Sequence, residues 1–376
     1  MDRIYFVPGM FGFGKLGSYD YFGHLAKGLT ARLRKAGREV VTHTVEVPPT
    51  ASIRRRAARF ADLVARTAGE DDGAIHLVGH STGGLDVRLL ASPSAHIPVD
   101  VRALDWLPRL RSVTTLNAPH YGTPLASFFA TVSGQRMLYA LSALTVVALT
   151  IGAPPLAAAS ALMLAVGRGD RSNSVDVGIV DRTTDAILRV LDPAQSQEVR
   201  DYLRAITEDQ GAVIQLSPEA MDLFQAGVEN RPGVLYQSCA SMAPPPTPGR
   251  WARLLVKPWT LVSSTLFATL QKLTSRYDDR YPCAAPFAGE RNEARLVQAF
   301  GRAPGVRAND GVVPLRSQIW GDVVWCGYAD HLDVLGHFAD DDGQSDHVDW
   351  MKSGSSFDRV RFADLLDAVA AGMLAR

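Results

Sequence analysis

The stretch Ala74-Ile75-His76-Leu77-Val78-Gly79-His80-Ser81-Thr82-Gly83-Gly84 decides how the rest of the chain is read. It begins with a short apolar run of the kind a fully buried parallel strand needs. It turns through Gly79-His80-Ser81-Thr82-Gly83, and Leu85 to Leu90 continues with apolar residues at helical spacing. A strand, Gly-x-Ser-x-Gly and a helix together predict a nucleophile elbow, with the Ser81 hydroxyl exposed on a tight turn. Glycines are needed there because side chains would strike the neighbouring strand and helix. The N–H groups that open the helix favour negative charge developing beside Ser81. The competing reading is a glycine-rich turn whose serine only caps the helix; the flanking strand and helix argue against it.

Working outward, Arg3 to Val7 reads as a buried strand ended by Pro8-Gly9, followed by a glycine- and aromatic-rich loop from Met10 to Gly17. Tyr21 to Lys35 is helix-like, Glu39 to Val47 is a second strand, and Pro48-Pro49 closes it. Ile53 to Thr67 predicts an amphipathic helix with Ile53, Phe60, Leu63 and Val64 on its apolar side and its arginines on a solvated face. After the elbow, Val113 to Asn117 returns to a strand. Strands alternating with helices predict an α/β fold, doubly wound around a mostly parallel central sheet flanked by helices.

From Leu125 the pattern changes. No residue between Arg136 and Arg168 is charged, and Gly152-Ala153-Pro154-Pro155 divides this run into two helix-length halves. Asp176 to Asp209 is polar and helical in pattern, and Ser217 is placed to cap a helix running to Gly227, with Pro218 in its first turn. Val234 to Cys239 is a core strand. A second excursion from Met242 carries Pro244-Pro245-Pro246 and an apolar stretch from Trp259 to Leu273. Gly321 to Trp325 is the expected last strand and Phe357 to Leu374 a closing helix. The expected organisation is a core over 1–124, a helical cap or lid over 125–232, a core strand at 233–241, a second cap excursion over 242–307, and the C-terminal core over 308–376. The uncharged run is expected to cover the Ser81 pocket as a lid, mobile or buried in a homodimer, with membrane-surface attachment and plain core as alternatives.

With 376 residues and 47% hydrophobic content the chain can bury a large core plus an elaboration. Its formal net charge is zero and its basic residues form no stripe, so nucleic acid is not an expected partner. Cys239, Cys283 and Cys326 are odd in number and lack metal-like spacing, which fits reduced thiols. No signal peptide precedes the first strand, which points to a cytoplasmic chain.

A serine hydroxyl becomes a nucleophile when a base takes its proton and an acid orients the base. In this fold class the order along the chain is Ser, Asp or Glu, His. Asn309-Asp310-Gly311-Val312-Val313-Pro314 sets Asp310 in a tight turn, and His331 lies 21 residues further on. Asp310 is otherwise a turn-former, and His337 is the rival base. The oxyanion hole needs two N–H donors: Thr82 follows the nucleophile, and Met10 stands in the loop after the first strand. Phe11, His80, His120, Leu144 and Val147 are the expected substrate contacts.

These motifs together resemble a bacterial family I (true) lipase. The resemblance rests on Pro-Gly-Met-Phe-Gly-Phe-Gly-Lys-Leu-Gly-Ser-Tyr-Asp-Tyr-Phe at 8–22, Gly-His-Ser-Thr-Gly-Gly at 79–84, Asn-Ala-Pro-His-Tyr-Gly-Thr-Pro at 117–124, Asn-Asp-Gly-Val-Val-Pro at 309–314 and His-Leu-Asp at 331–333. It implies an α/β-hydrolase fold, Ser81, Asp310 and His331 as triad, Met10 and Thr82 as oxyanion donors, and hydrolysis of hydrophobic carboxylic esters or lipids. No cofactor is implied for the reaction, although Asp333 matches a position where related members hold a structural calcium. Pro8 stands where the family usually has His. An acyltransferase or thioesterase on the same triad, and a silent lipid-binding scaffold, are the alternatives.

Overall fold

The computed structural model describes residues 1–10, 15–16, 19–151, 160, 185–186, 188–189, 193–244, 258–285, 288–339, 349 and 351–376. Six strands form one sheet: β1 (Asp2–Val7), β4 (Val40–Thr44), β5 (Ile75–His80), β6 (Leu110–Leu116), β7 (Leu235–Met242) and β8 (Asp322–Tyr328). Their order is β4-β1-β5-β6-β7-β8, and every neighbouring pair is parallel. Two short strands, β2 (Lys15–Leu16) and β3 (Tyr19–Asp20), pair as an antiparallel ribbon after β1.

An all-parallel sheet must be covered on both faces. Alternate residues of each strand divide between those covers, as period-two geometry requires. Ile4, Phe6, Val78 and Leu116 pack against Leu25, Leu29 and Leu33 of α1 (Gly23–Lys35) and against Leu365 and Val369 of the closing helix Arg359–Leu374. Tyr5, Val7, Leu77 and Val113 meet Phe60 and Val64 of α2 (Ile53–Thr67) and Val87 of α3 (Gly83–Ala91). Leu296 and Phe300 of the helix Glu290–Phe300 pack with Ala240 and Val323 at the β7–β8 edge.

A separate apolar cluster stands over the carboxyl ends of the strands. It gathers Leu125 and Phe129 of α4 (Pro124–Phe129), Leu138, Leu141 and Leu144 of α5 (Val132–Ile151), Leu203 of the helix Pro193–Glu208 and Leu266 of the helix Pro258–Thr274. Thr123 starts α4 by accepting from the Leu125 N–H, with Pro124 at the first helical position. Among the described residues no helix is long and apolar enough to cross a membrane. The Gly152-to-Pro155 break and most of the second half of the uncharged run lie outside the described residues.

One sequence expectation about α2 is corrected. Arg56 is not on the solvated face: it is fully buried, and it pairs with the fully buried Asp86 of α3 at 2.8 Å. The remaining N–H groups of its guanidinium donate to the carbonyls of Pro8, Pro48 and Pro49. The fan shape of the guanidinium suits this task, because one side chain can hold three carbonyls from two backbone segments and a carboxylate together.

Candidate active site

Ser81 follows β5 directly, at φ +53°, a left-handed conformation that costs energy for a residue with a side chain. The turn is held by the Ser81 N–H donating to the Leu116 carbonyl at 2.9 Å and by the Gly84 N–H donating back to the Ser81 carbonyl at 2.9 Å. Room for it depends on neighbouring glycines. A Cβ on Gly9 would sit 2.6 Å from Ser81 Cβ, and one on Gly83 would collide with the Val7 carbonyl. The elbow is therefore wedged between the end of β1 and the start of α3.

Asp310 and His331 come from the two loops around β8. Asn309 pins the first loop: its side-chain amide donates to the Gln271 and Arg307 carbonyls and to Ser275 Oγ, and its oxygen accepts from the Gly311 N–H. Gly311 completes the turn at φ +99°. Asp310 Oδ1 accepts from the N–H groups of Val312 and Val313 at 2.8 and 2.7 Å. That leaves Oδ2 to receive His331 Nδ1 at 2.7 Å, while the His331 N–H also donates to the Asp310 carbonyl. The turn-forming role and the pairing role of Asp310 are both real, and one oxygen serves each. His331 Nε2 is buried and has no partner among the described residues. His337 stands elsewhere, with Nε2 near the Tyr21 carbonyl at 3.4 Å and its ring against His24.

Two narrow cavities meet at this corner. One, of about 20 Å³, is lined by Ser81, Met10, Thr82, Pro119 and Leu216. The other, of about 40 Å³, is lined by His331, Leu141, Thr145, Leu270 and Met351. Leu125, Phe129 and Val312 are common walls of both. Neither the Met10 nor the Thr82 N–H donates to a backbone carbonyl of the described residues.

The other expected contacts lie differently. Phe11 falls outside the described residues. His80 is fully buried behind His331, with Nδ1 at Tyr21 Oη and Nε2 at the His331 carbonyl, both 2.8 Å. His120 is likewise buried, between Arg88 and Thr115 and against Trp320. Burial holds the pKa of both rings well below the ordinary imidazole value, helped by the His331 charge at His80 and the Arg88 charge at His120. Neither lines the two cavities. Leu144 and Val147 are packed inside the apolar cluster over the strand ends, and it is Leu141 and Thr145 of the same helix that face the cavity. Tyr21, Arg56, Leu125 and Phe129 are the site residues that the sequence reading did not single out.

Asp333 is buried beside Asp330. Its Oδ2 accepts from the Asp330 N–H and from Ser355 Oγ, while Asp330 Oδ1 accepts from the Leu332 and Asp333 N–H groups. Burial, with Asp349 close by, pushes the Asp330 carboxyl up to about 7; burial and the facing Asp330 raise Asp333 well above its ordinary range. Among the described residues no three of His, Cys, Asp or Glu are arranged to hold a metal ion.

A scan against models of known protein families finds no match, and no curated protein matches in sequence. Solved structures do match. The chain is similar to the lipase of Staphylococcus hyicus at 16% identity, covering 100% of this chain and 95% of that one with a TM-score of 0.52. Lipase 1 of Pelosinus fermentans aligns at 16% identity over 94% of this chain and 97% of that one, with a TM-score of 0.49. A metagenomic carboxyl esterase aligns at 16% identity over 100% of this chain and 76% of that one, also with a TM-score of 0.49. With the parallel sheet and its flanking helices, the first of these establishes an α/β-hydrolase fold.

Proposed function

We propose that the chain is a serine carboxylic ester hydrolase acting on hydrophobic esters. The observation that carries the reading is the buried Asp310–His331 pair, whose second imidazole nitrogen has no partner among the described residues where the His331 and Ser81 cavities share walls. Fold alone does not decide function, but a strained serine beside an oriented and half-used imidazole is the arrangement that acyl transfer requires.

In this reading His331 Nε2 takes the proton as Ser81 Oγ forms a bond to the ester carbonyl carbon. The Met10 and Thr82 N–H groups receive the oxyanion. His331 then gives its proton to the departing alkoxide, leaving Ser81 acylated and Asp310 ionised beside the imidazole throughout. Water, deprotonated by the same nitrogen, attacks the acyl carbon, and the returning proton frees Ser81 and a carboxylic acid.

The apolar walls support the substrate class. Leu125, Phe129, Leu141, Leu270 and Met351 offer an acyl or alkyl chain contacts worth about 0.8 kcal/mol per methylene buried. Cavities of about 20 and 40 Å³ have room for only a few water molecules, so the helices above them must shift before an ester enters.

A p-nitrophenyl alkylphosphonate tests the assignment, because it phosphorylates an activated serine irreversibly. Mass mapping should find one adduct, on Ser81, and Ser81→Ala should be folded, unlabelled and at least about 10⁴-fold slower on p-nitrophenyl esters. Label on another residue, or near-normal turnover by the folded variant, overturns it.

A further inference from the structure

Behind His331 lies a hydrogen-bonded chain that the reaction described above does not use. Tyr21, fully buried where the chain enters α1, sends its hydroxyl to His80 Nδ1 at 2.8 Å. The Gly9 backbone N–H lies close enough to the same hydroxyl to act on it as a donor. His80 Nε2 meets the His331 carbonyl at 2.8 Å, and the His80 and His331 rings lie 4.7 Å apart between centroids.

The direction of every bond in this chain is fixed. A carbonyl only accepts, so His80 Nε2 carries the hydrogen. In the neutral imidazole Nδ1 is then the acceptor, and Tyr21 is its donor. With its proton committed, the Tyr21 oxygen accepts from Gly9. Burial keeps both groups uncharged: it raises the phenol far above its ordinary value and holds the His80 imidazole well below its own.

We propose that Tyr21 and His80 are positioning residues that lock the backbone of the oxyanion loop to the backbone of the catalytic base. Gly9 immediately precedes Met10, the donor assigned to the oxyanion, and the far end of the chain holds His331 itself. The two reacting groups on either side of Ser81 thus share one rigid connection through the residue before the nucleophile. Occupying both nitrogens of His80 also removes a second imidazole as a competing proton acceptor, although it sits one ring away from the base. The inference rests on the reading of Ser81, His331 and Asp310 as the ester-cleaving unit.

Four variants test it, with kcat and KM measured on a p-nitrophenyl ester at a temperature where melts show each protein folded. Tyr21→Phe keeps the ring and removes the single oxygen. It should lower kcat between roughly 10- and 100-fold, the scale of a displacement near 1 Å, with KM changed by less than about twofold. His80→Leu should do the same, and Tyr21→Phe combined with His80→Leu should be no slower than His80→Leu alone, because one chain is broken once. His80→Gln, whose amide donates and accepts about as far apart as the two imidazole nitrogens do, should recover most of the loss. A Tyr21→Phe enzyme with kcat within about twofold of the parent, or losses that multiply in the double variant, overturns the proposal. Phosphonate labelling separates the two levels: an unlabelled parent Ser81 removes the hydrolase reading, whereas normal labelling with an unaffected Tyr21→Phe removes this inference alone.

Discussion

Two buried carboxylates, Asp86 and Asp310, each face a basic side chain, and the two pairs are built for opposite ends. Asp86 meets Arg56, whose guanidinium spends its other N–H groups on the carbonyls of Pro8, Pro48 and Pro49. Asp310 meets His331 through one ring nitrogen only, and the far nitrogen of that ring has no partner among the described residues and lies beside a cavity. Both pairs lie within reach of the elbow, one holding the loop before Met10 and the other facing the substrate cavities. The difference teaches where to look for chemistry in a buried polar cluster: at the titratable group whose hydrogen-bonding capacity has not been used up.

The largest expected effect tests the open pair. Asp310→Asn keeps the size of the side chain but lets its amide donate towards His331 Nδ1, which favours the wrong tautomer. Turnover should fall by about 10⁴-fold while the melting temperature changes little. His331→Ala should be at least as slow, whereas His337→Ala should retain most of its activity, since His337 faces Tyr21 and His24. An inactive His337→Ala beside an active His331→Ala would reverse the assignment of the base.

The closed pair should respond in stability. Arg56→Met strands Asp86 in the interior, at a cost of about 3–5 kcal/mol at neutral pH. Burial already pushes the Asp86 carboxyl up to about 6 with Arg56 present, and losing the guanidinium raises it further. A carboxyl whose folded pKa is raised binds its proton more tightly when folded, so the deficit of the variant should shrink as pH falls towards 5. Replacing both residues, as Arg56→Met with Asp86→Leu, should restore much of the loss. Urea unfolding against pH measures all three; a deficit that grows on acidification, or a double variant worse than Arg56→Met, would break the comparison.

The same two pairs show what the sequence could and could not say. Ser81, Asp310 and His331 are legible because each sits in a short motif whose geometry is local: an elbow, an Asn-Asp-Gly turn, a loop after the last strand. Arg56 was assigned to solvent because charge is normally outside, yet it lies three residues after Ile53 and four before Phe60, on the buried stripe of its own helix. That spacing was the available signal. His80 is next to Ser81 in sequence, but successive residues of a strand point to opposite faces, and the alternation turns its ring away from the cavities. Leu144 and Leu141 could not be told apart in advance. Helix α5 is apolar nearly all round, so periodicity offers no face to choose. Tyr21 precedes its helix, and no local pattern connects it to Gly9 and His80.

A third buried ring gives the smallest effect and sharpens the contrast furthest. His76 lies in β5, four residues before His80, with Nδ1 bonded to Ser112 Oγ at 2.7 Å. Burial holds its pKa down to about 4, although Asp2 works in the other direction. Between about pH 4 and 6.5 the unfolded chain therefore carries a proton here that the folded chain does not. Acidification through that window favours unfolding by up to about 1.4 kcal/mol per pH unit for this one group, and above it the contribution is constant. Asp330 and Asp333, whose folded values are raised, slope the opposite way over part of the same range, so the total curve does not isolate the ring. A difference does. His76→Phe combined with Ser112→Ala removes both hydrogen-bonding partners and leaves neither orphaned. Subtracting its unfolding free energy from that of the parent should give a difference that falls on acidification between pH 6.5 and 4 and is flat from pH 7 to 8. A flat difference throughout would mean that the folded protein protonates His76 as readily as the unfolded chain does, and that burial does not hold this ring neutral as argued.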